Sequence, residues 1–206
     1  MPKKEVPIAT LQDYLPTGTY EPVLQFLRQY KVHLTVARER KSVLGDYRHR
    51  THYSNHRISV NGNLNQYSFL VTLLHELAHL LTFEQFANKV MAHGKEWKSI
   101  YGQLLDQFLK HHTFPPDIEH ELLLSLKNPA ASSCAEEGLL RVLRKYDKRE
   151  PHSRLVEELA MNAVFRTDDG RVFQKGEKLR KRFKCVEVKT GKVYLFSPVY
   201  EVAPVQ

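Results

Sequence analysis

His75, Glu76 and His79 form an H-E-x-x-H motif inside a twenty-residue, largely apolar run from Leu64 to Phe83. Apart from Tyr67, they are the only ionisable residues in that run. On an α-helix, positions four apart lie about 40° apart around the axis and roughly 6 Å along it. Both imidazoles therefore project from one face and can share a metal ion, with the glutamate beside them. Burying two imidazoles and a carboxylate among leucines is costly unless they are paired or bound to metal. Zinc removes that cost, because it takes neutral histidine nitrogens as ligands and its charge favours a nearby carboxylate. The bland alternative is a core helix whose histidines only hydrogen-bond. A helix apolar almost all round, with its polar groups confined to one site, argues against it.

Catalytic zinc usually keeps three protein ligands and one open position. His93, fourteen residues beyond His79, is the preferred third ligand. Asn88 and Gly94 permit turns on either side, so a second helix starting near His93 can fold back on the first. Glu84 and Glu96 compete for the role. Glu84 falls about 140° around the helix from His79 and points away. Glu96 is the serious rival.

His75-Glu-Leu-Ala-His79-Leu-Leu followed by Ala92-His93-Gly-Lys-Glu-Trp97-Lys resembles the metallopeptidase domain of SprT-like proteins, the group that includes Spartan. Upstream, Leu44-Gly45-Asp46-Tyr47 and Arg57-Ile-Ser-Val-Asn61 are similar to that family's glycine turn and the strand before its active-site helix. The resemblance spans about residues 20 to 112. It implies a zincin-like minimal metalloprotease domain with zinc on His75, His79 and His93 and Glu76 as catalytic base.

The chemistry expected is metal-assisted peptide hydrolysis. Zinc lowers the pKa of a bound water from about 15.7 toward 7 and polarises the scissile carbonyl. Glu76 takes the water's proton and later delivers it to the leaving amine. Tyr47, Tyr101 and Lys95 are candidate oxyanion donors, though a surface or packing role is the plainer reading of each.

The elements that position these residues follow from periodicity. Ile8–Leu15 and Tyr20–Tyr30 have helical spacing. Val32–Val36, Leu44–Arg48 and Arg57–Asn61 read as three short strands, expected to form an antiparallel sheet on the active-site helix. A helix from about His93 to Lys110 follows, and Pro115-Pro116 is expected to end the unit. Residues 125–135 read as a linker, with short helices around Leu139–Tyr146 and Leu155–Met161. From Ala163 onward, alternating apolar residues are punctuated by Asp169-Gly170, Lys175-Gly176 and Thr190-Gly191, as in a four- or five-stranded β module. The expected class is α+β. Its domains are a metallopeptidase domain over 1–125, a linker with short helices over 126–160, and a basic all-β module over 161–206. Many SprT-like proteins carry a zinc ribbon at that last position, built on C-x-x-C pairs. This chain has only Cys134 and Cys185, so neither a second zinc nor a disulfide scaffold is expected.

Of the net charge of +8, +7 lies in residues 141–206. The densest run, Lys178-Leu-Arg180-Lys181-Arg182-Phe-Lys184, is basic at five of seven positions. Such a surface can bind phosphates, or it can be a solvated face that keeps the protein soluble. The resemblance favours DNA as partner, because Spartan-type members cleave proteins trapped on DNA. His49, His52 and His56 are read as surface or near-site residues rather than a second metal site, and Trp97, Phe83 and Phe86 as core. The chain's opening, Met-Pro-Lys-Lys-Glu, leads into no apolar segment, and the Leu64–Phe83 run is too polar to span a bilayer. A cytoplasmic protein is expected. Two functions follow: a zinc endopeptidase acting on protein, DNA-bound protein included, or a non-catalytic zinc-containing nucleic-acid-binding or regulatory protein. Retention of Glu76 favours the first. A peptidase unrelated to DNA is a third.

Overall fold

The structure is a computed structural model describing residues 8–40, 43–126, 129, 134, 136–148 and 153–205. Its contacts divide the chain into two compact units, Met1–Asp147 and Lys148–Gln206. Most of the linker expected at 125–135 lies outside the described residues.

The first unit is built around one buried helix. A 3-10 segment, Ile8–Tyr14, precedes helix α1 (Tyr20–Gln29), which buries Val23, Leu24 and Leu27 on one side. Three strands follow: β1 (His33–Ala37), β2 (Gly45–Arg48) and β3 (Arg57–Asn61). The sheet is mixed, not antiparallel as expected. Its order is β1-β3-β2, with β1 parallel and β2 antiparallel to β3. The β2–β3 connection takes one edge of β3, so β1 occupies the other, and period-two alternation carries no signal for direction. Central β3 is accordingly the most buried strand, from Ile58 to Asn61. Arg40 braces it, donating to Asn61 Oδ1 at 2.8 Å and Ser59 Oγ at 3.0 Å.

Helix α2 (Gln66–Phe86) begins at Asn65, whose Oδ1 accepts from Ser68 N–H at 2.9 Å. That cap satisfies one of the N–H groups left open at a helix start. The Asn65 amide also donates to Leu143 O at 3.1 Å, tying the end of the unit to the head of its central helix. Phe69, Leu70, Leu73, Leu74, Leu77 and Leu80 are all fully buried, and from Ser68 to Ala78 the helix is enclosed on every side as its composition requires. Helix α3 (Lys95–Leu109) presents Trp97, Tyr101, Leu104, Leu105 and Phe108, spaced as one helical face, to the core.

Pro115-Pro116 opens an element instead of closing the unit. Pro116 is the first residue of α4 (Pro116–Ser125), where a missing N–H costs nothing. Helix α5 (Glu137–Leu143) and a 3-10 turn at Arg144–Tyr146 complete the unit, with Leu139, Leu143 and Cys134 in the same core.

The second unit is an all-β sheet of six strands: β4 (Arg154–Leu155), β5 (Val164–Arg166), β6 (Val172–Leu179), β7 (Arg182–Glu187), β8 (Val193–Phe196) and β9 (Glu201–Pro204). Their order is β4-β9-β5-β6-β7-β8. The expected helix at Leu155–Met161 is only the end of β4 and a 3-10 turn, Val156–Glu158. The core is small and aromatic: Phe165, Phe173 and Phe196 meet with ring centroids 4.9–5.7 Å apart, and Cys185 is buried beside them. Asp169-Gly170 and Thr190-Gly191 make tight turns, with Gly170 at φ 83° and Gly191 at φ 72°. Lys175-Gly176, read as a break, lies inside β6 at a bulge, where a Cβ on Gly176 would stand 2.6 Å from Lys184 O. No helix among the described residues is long and apolar enough to cross a membrane. Both cysteines are free and buried.

Candidate metal centre

The i, i+4 spacing on α2 and a tight turn before α3 bring His75, His79 and His93 together. One ring nitrogen from each lies within 4.8 Å of the others. His93 reaches the site through an unusual backbone, at φ 98°, in a turn closed by Gly94 N–H to Met91 O at 2.9 Å. Gly94 then caps α3 with extended backbone. The two rival ligands lie elsewhere. Glu96 pairs with Lys95, and Glu84 accepts from Arg50 and His56.

Electrostatics prepare the triad for a cation. Burial, reinforced by the neighbouring imidazoles, lowers His75 to about 3 and His79 to about 4. His93 is lowered chiefly by burial as well. All three rings are therefore neutral at pH 7, the state in which imidazole binds metal. His75 Nε2 and His93 Nε2 are 3.3 Å apart. Nitrogens bound at about 2.0–2.1 Å to one tetrahedral ion stand roughly 3.4 Å from each other, so the donor set fits a single metal ion of the zinc type.

Trp97 is the floor of the site. It is wholly buried, and its ring centroid lies 4.6 Å from His75, 4.7 Å from His93 and 5.2 Å from His79. Tyr101 stacks beneath it at 5.0 Å.

Glu76 is 6% exposed and pressed against the start of β2. Burial, then the nearby Asp46, raises its carboxyl to about 8, with Arg40 opposing. Its niche exists because residue 45 is glycine. A Cβ there would stand 2.6 Å from Glu76 Oε1 and 2.7 Å from Thr72 Cγ2. Gly45 is thus not a turn residue, as the sequence suggested, but a strand residue whose missing side chain is filled by the glutamate.

Of the candidate oxyanion donors, Lys95 is 91% exposed, Tyr101 is buried under Trp97, and the Tyr47 hydroxyl is bonded to His56 Nδ1 at 2.9 Å. His49 stacks on Phe83, His52 is exposed, and His56 is buried next to the site. The bond between Tyr47 and His56 was not legible in the sequence. The one clue was that Gly45 and Tyr47 alternate on β2 and so share the face toward α2.

In the second unit, Lys178, Arg180, Lys181, Arg182 and Lys184 form a hairpin tip, with Leu179 paired to Arg182 and Lys178 to Phe183. The turn residue Arg180 sits at φ 49°. Among the described residues none of the five has an acidic partner.

No curated protein and no solved structure matches the chain. The family model described as SprT-like family matches residues 20–120, a span that contains α1, all three strands, the three histidines and Glu76. That span, a little under half of the chain, is a domain of the SprT-like family.

Proposed function

We infer that this chain is a zinc-dependent metallopeptidase, with His75, His79 and His93 as metal ligands and Glu76 as general base. Its first unit is then a minimal zincin-like domain. The observation that carries this reading is the convergence of three neutral imidazoles, two of them at the nitrogen spacing of a tetrahedral ion, with a buried carboxyl one residue away. Zinc bound there supplies Lewis-acid polarisation of a carbonyl and lowers the pKa of water toward about 7. Glu76 accepts the proton of the attacking water and returns it to the leaving amine nitrogen. Its raised pKa suits both steps: the group holds a proton readily yet ionises near neutral pH, more so beside a cation. Trp97 and Tyr101 keep the triad's floor dry. A protein that used zinc only to bind nucleic acid would have no use for this carboxyl or for the space cleared for it at Gly45.

The substrate class is protein, and the basic hairpin supports DNA as the place where substrates are met, so that proteins bound or crosslinked to DNA are the natural targets. Five cations without acidic partners among the described residues, on one hairpin, attract a phosphate backbone irrespective of sequence. The test is fragmentation of a basic DNA-binding protein by the zinc-loaded chain, with and without single-stranded DNA. Cleavage should rise with DNA, vanish on chelation and return with zinc. No cleavage under any condition, at one zinc per chain, would point to the non-catalytic reading.

A further inference from the structure

A metal-bound histidine ordinarily donates its second ring N–H to a carboxylate, carbonyl or water that fixes the ring's orientation. No carboxylate or carbonyl of the described residues takes that role for His79. What surrounds it is rings: His75 at 5.1 Å, His93 at 4.6 Å, Trp97 at 5.2 Å, and Tyr47, whose plane lies within 4° of the imidazole's at a centroid distance of 6.4 Å. Tyr47 is in turn held at both ends. Its backbone is paired in β2 opposite Ile58, and its hydroxyl meets His56.

The protonation of His56 follows from its neighbours. Nδ1 receives the backbone N–H of Arg50 at 3.3 Å and lies 2.9 Å from the Tyr47 hydroxyl. A nitrogen that accepts cannot carry the proton, so Nε2 carries it and donates to Glu84 Oε1 at 3.2 Å. Arg50 Nε holds that same carboxylate oxygen at 3.0 Å. Arg50 and His56 thus both donate to Glu84, and the Tyr47 hydroxyl donates to His56, which links Arg50, Glu84, His56 and Tyr47 in one connected chain. It ends on a ring aligned with a triad member. His56 is 2% exposed, which shields the chain's centre from exchange with water.

We propose that Tyr47 is a positioning residue for the metal centre: the Arg50–Glu84–His56 chain fixes its ring, and its ring fixes the plane of His79. The inference rests on the metal-centre reading above and adds to it the means by which a ligand with no carboxylate or carbonyl partner among the described residues is oriented.

Zinc affinity, measured by competition with a chromophoric chelator, tests it independently of peptidase activity. The variants are Tyr47→Phe, which removes only the hydroxyl, Glu84→Ala, which cuts the chain two links away, and the double variant. Each single change should weaken zinc binding roughly 10-fold, at the lower end of what loss of an outer partner costs a metal site. The double variant should be no weaker than the weaker single one, since both act through one chain. With cobalt(II) in place of zinc, the visible absorption bands should shift in Tyr47→Phe, a change that a general loss of stability does not produce. Wild-type affinity and an unshifted cobalt spectrum in Tyr47→Phe would overturn this inference alone. So would a double-variant loss equal to the product of the single losses. A wild-type chain that binds no zinc would overturn the metal-centre reading as well.

Discussion

Gly45 and Glu76 occupy one space: the carboxylate oxygen of Glu76 would lie 2.6 Å from any Cβ at position 45. Thr72 Cγ2, at 2.7 Å, and Glu76 Cγ, at 2.9 Å, close the niche from the helix side. Gly45→Ala should therefore push the glutamate out of place while leaving the three histidines where they are. Overpacking of this kind costs about 1–3 kcal/mol. The expected signature is a fall in kcat well beyond any fall in zinc affinity, read from parallel kinetics and chelator competition.

The backbone at His93 carries a cost that glycine would not. At φ 98° a side chain is strained, typically by about 1–3 kcal/mol. In the metal-free protein, His93→Gly should be more stable than His93→Ala, by roughly 1 kcal/mol in urea unfolding, because only alanine keeps the strain. Both should lose zinc binding, whereas Glu96→Ala should keep it. Equal stability of the two His93 variants would mean that the turn holds no strain.

The metal-free protein should have a pH optimum of stability near 6.5. His75 and His79 are lowered to about 3 and about 4, so between those values and the ordinary histidine pKa of about 6.5 the unfolded chain binds more protons. Stability therefore rises with pH through that window. Glu76 acts in the opposite sense. Raised to about 8, it keeps its proton in the folded state after the unfolded chain has released it, so stability falls as pH climbs from about 4.5 to 8. His75 and His79, with His93 lowered in the same direction, outweigh one glutamate below pH 6.5, and the glutamate prevails above it. Urea midpoints of the metal-free chain from pH 5 to 8 check the shape, and Glu76→Gln should remove the decline on the alkaline side.

Helix α2 and its motif could be read directly, because a long apolar run with two histidines four apart has one helical solution. The start of α3, and the turn that carries His93 back toward α2, were also legible, from Asn88 and Gly94 on either side. Other features had no local signal. The parallel pairing of β1 with β3 depends on which edge β2 leaves free, and alternation looks the same in either direction. Pro116 was read as a stop when it is a start, since proline suits both the end of one element and the first position of the next. The turn at Arg180-Lys181 contains no glycine, so the break was placed five residues early, at a bulge. The chain from Arg50 to Tyr47 joins residues whose contacts exist only once β2, its loop and the end of α2 have met.

The basic run is a hairpin tip, with Arg180 and Lys181 in its turn. Reversing both, Arg180→Glu and Lys181→Glu, should weaken single-stranded DNA binding and reduce the salt dependence of affinity. With a slope of about −0.7 per phosphate neutralised on a single strand, losing two contacts should flatten the log–log slope by roughly 1.4. Fluorescence anisotropy across a salt series reads this directly. An unchanged slope would remove the hairpin from the DNA-binding surface.

The most direct test of the catalytic centre compares wild type with Glu76→Gln at matched zinc content, measuring bound metal and substrate fragmentation in the same samples. With Glu76 as general base, both proteins should hold one zinc per chain, and cleavage should fall by about 10²–10⁴-fold in the variant. Undiminished cleavage by Glu76→Gln at full zinc occupancy would contradict the assignment of Glu76 as the base.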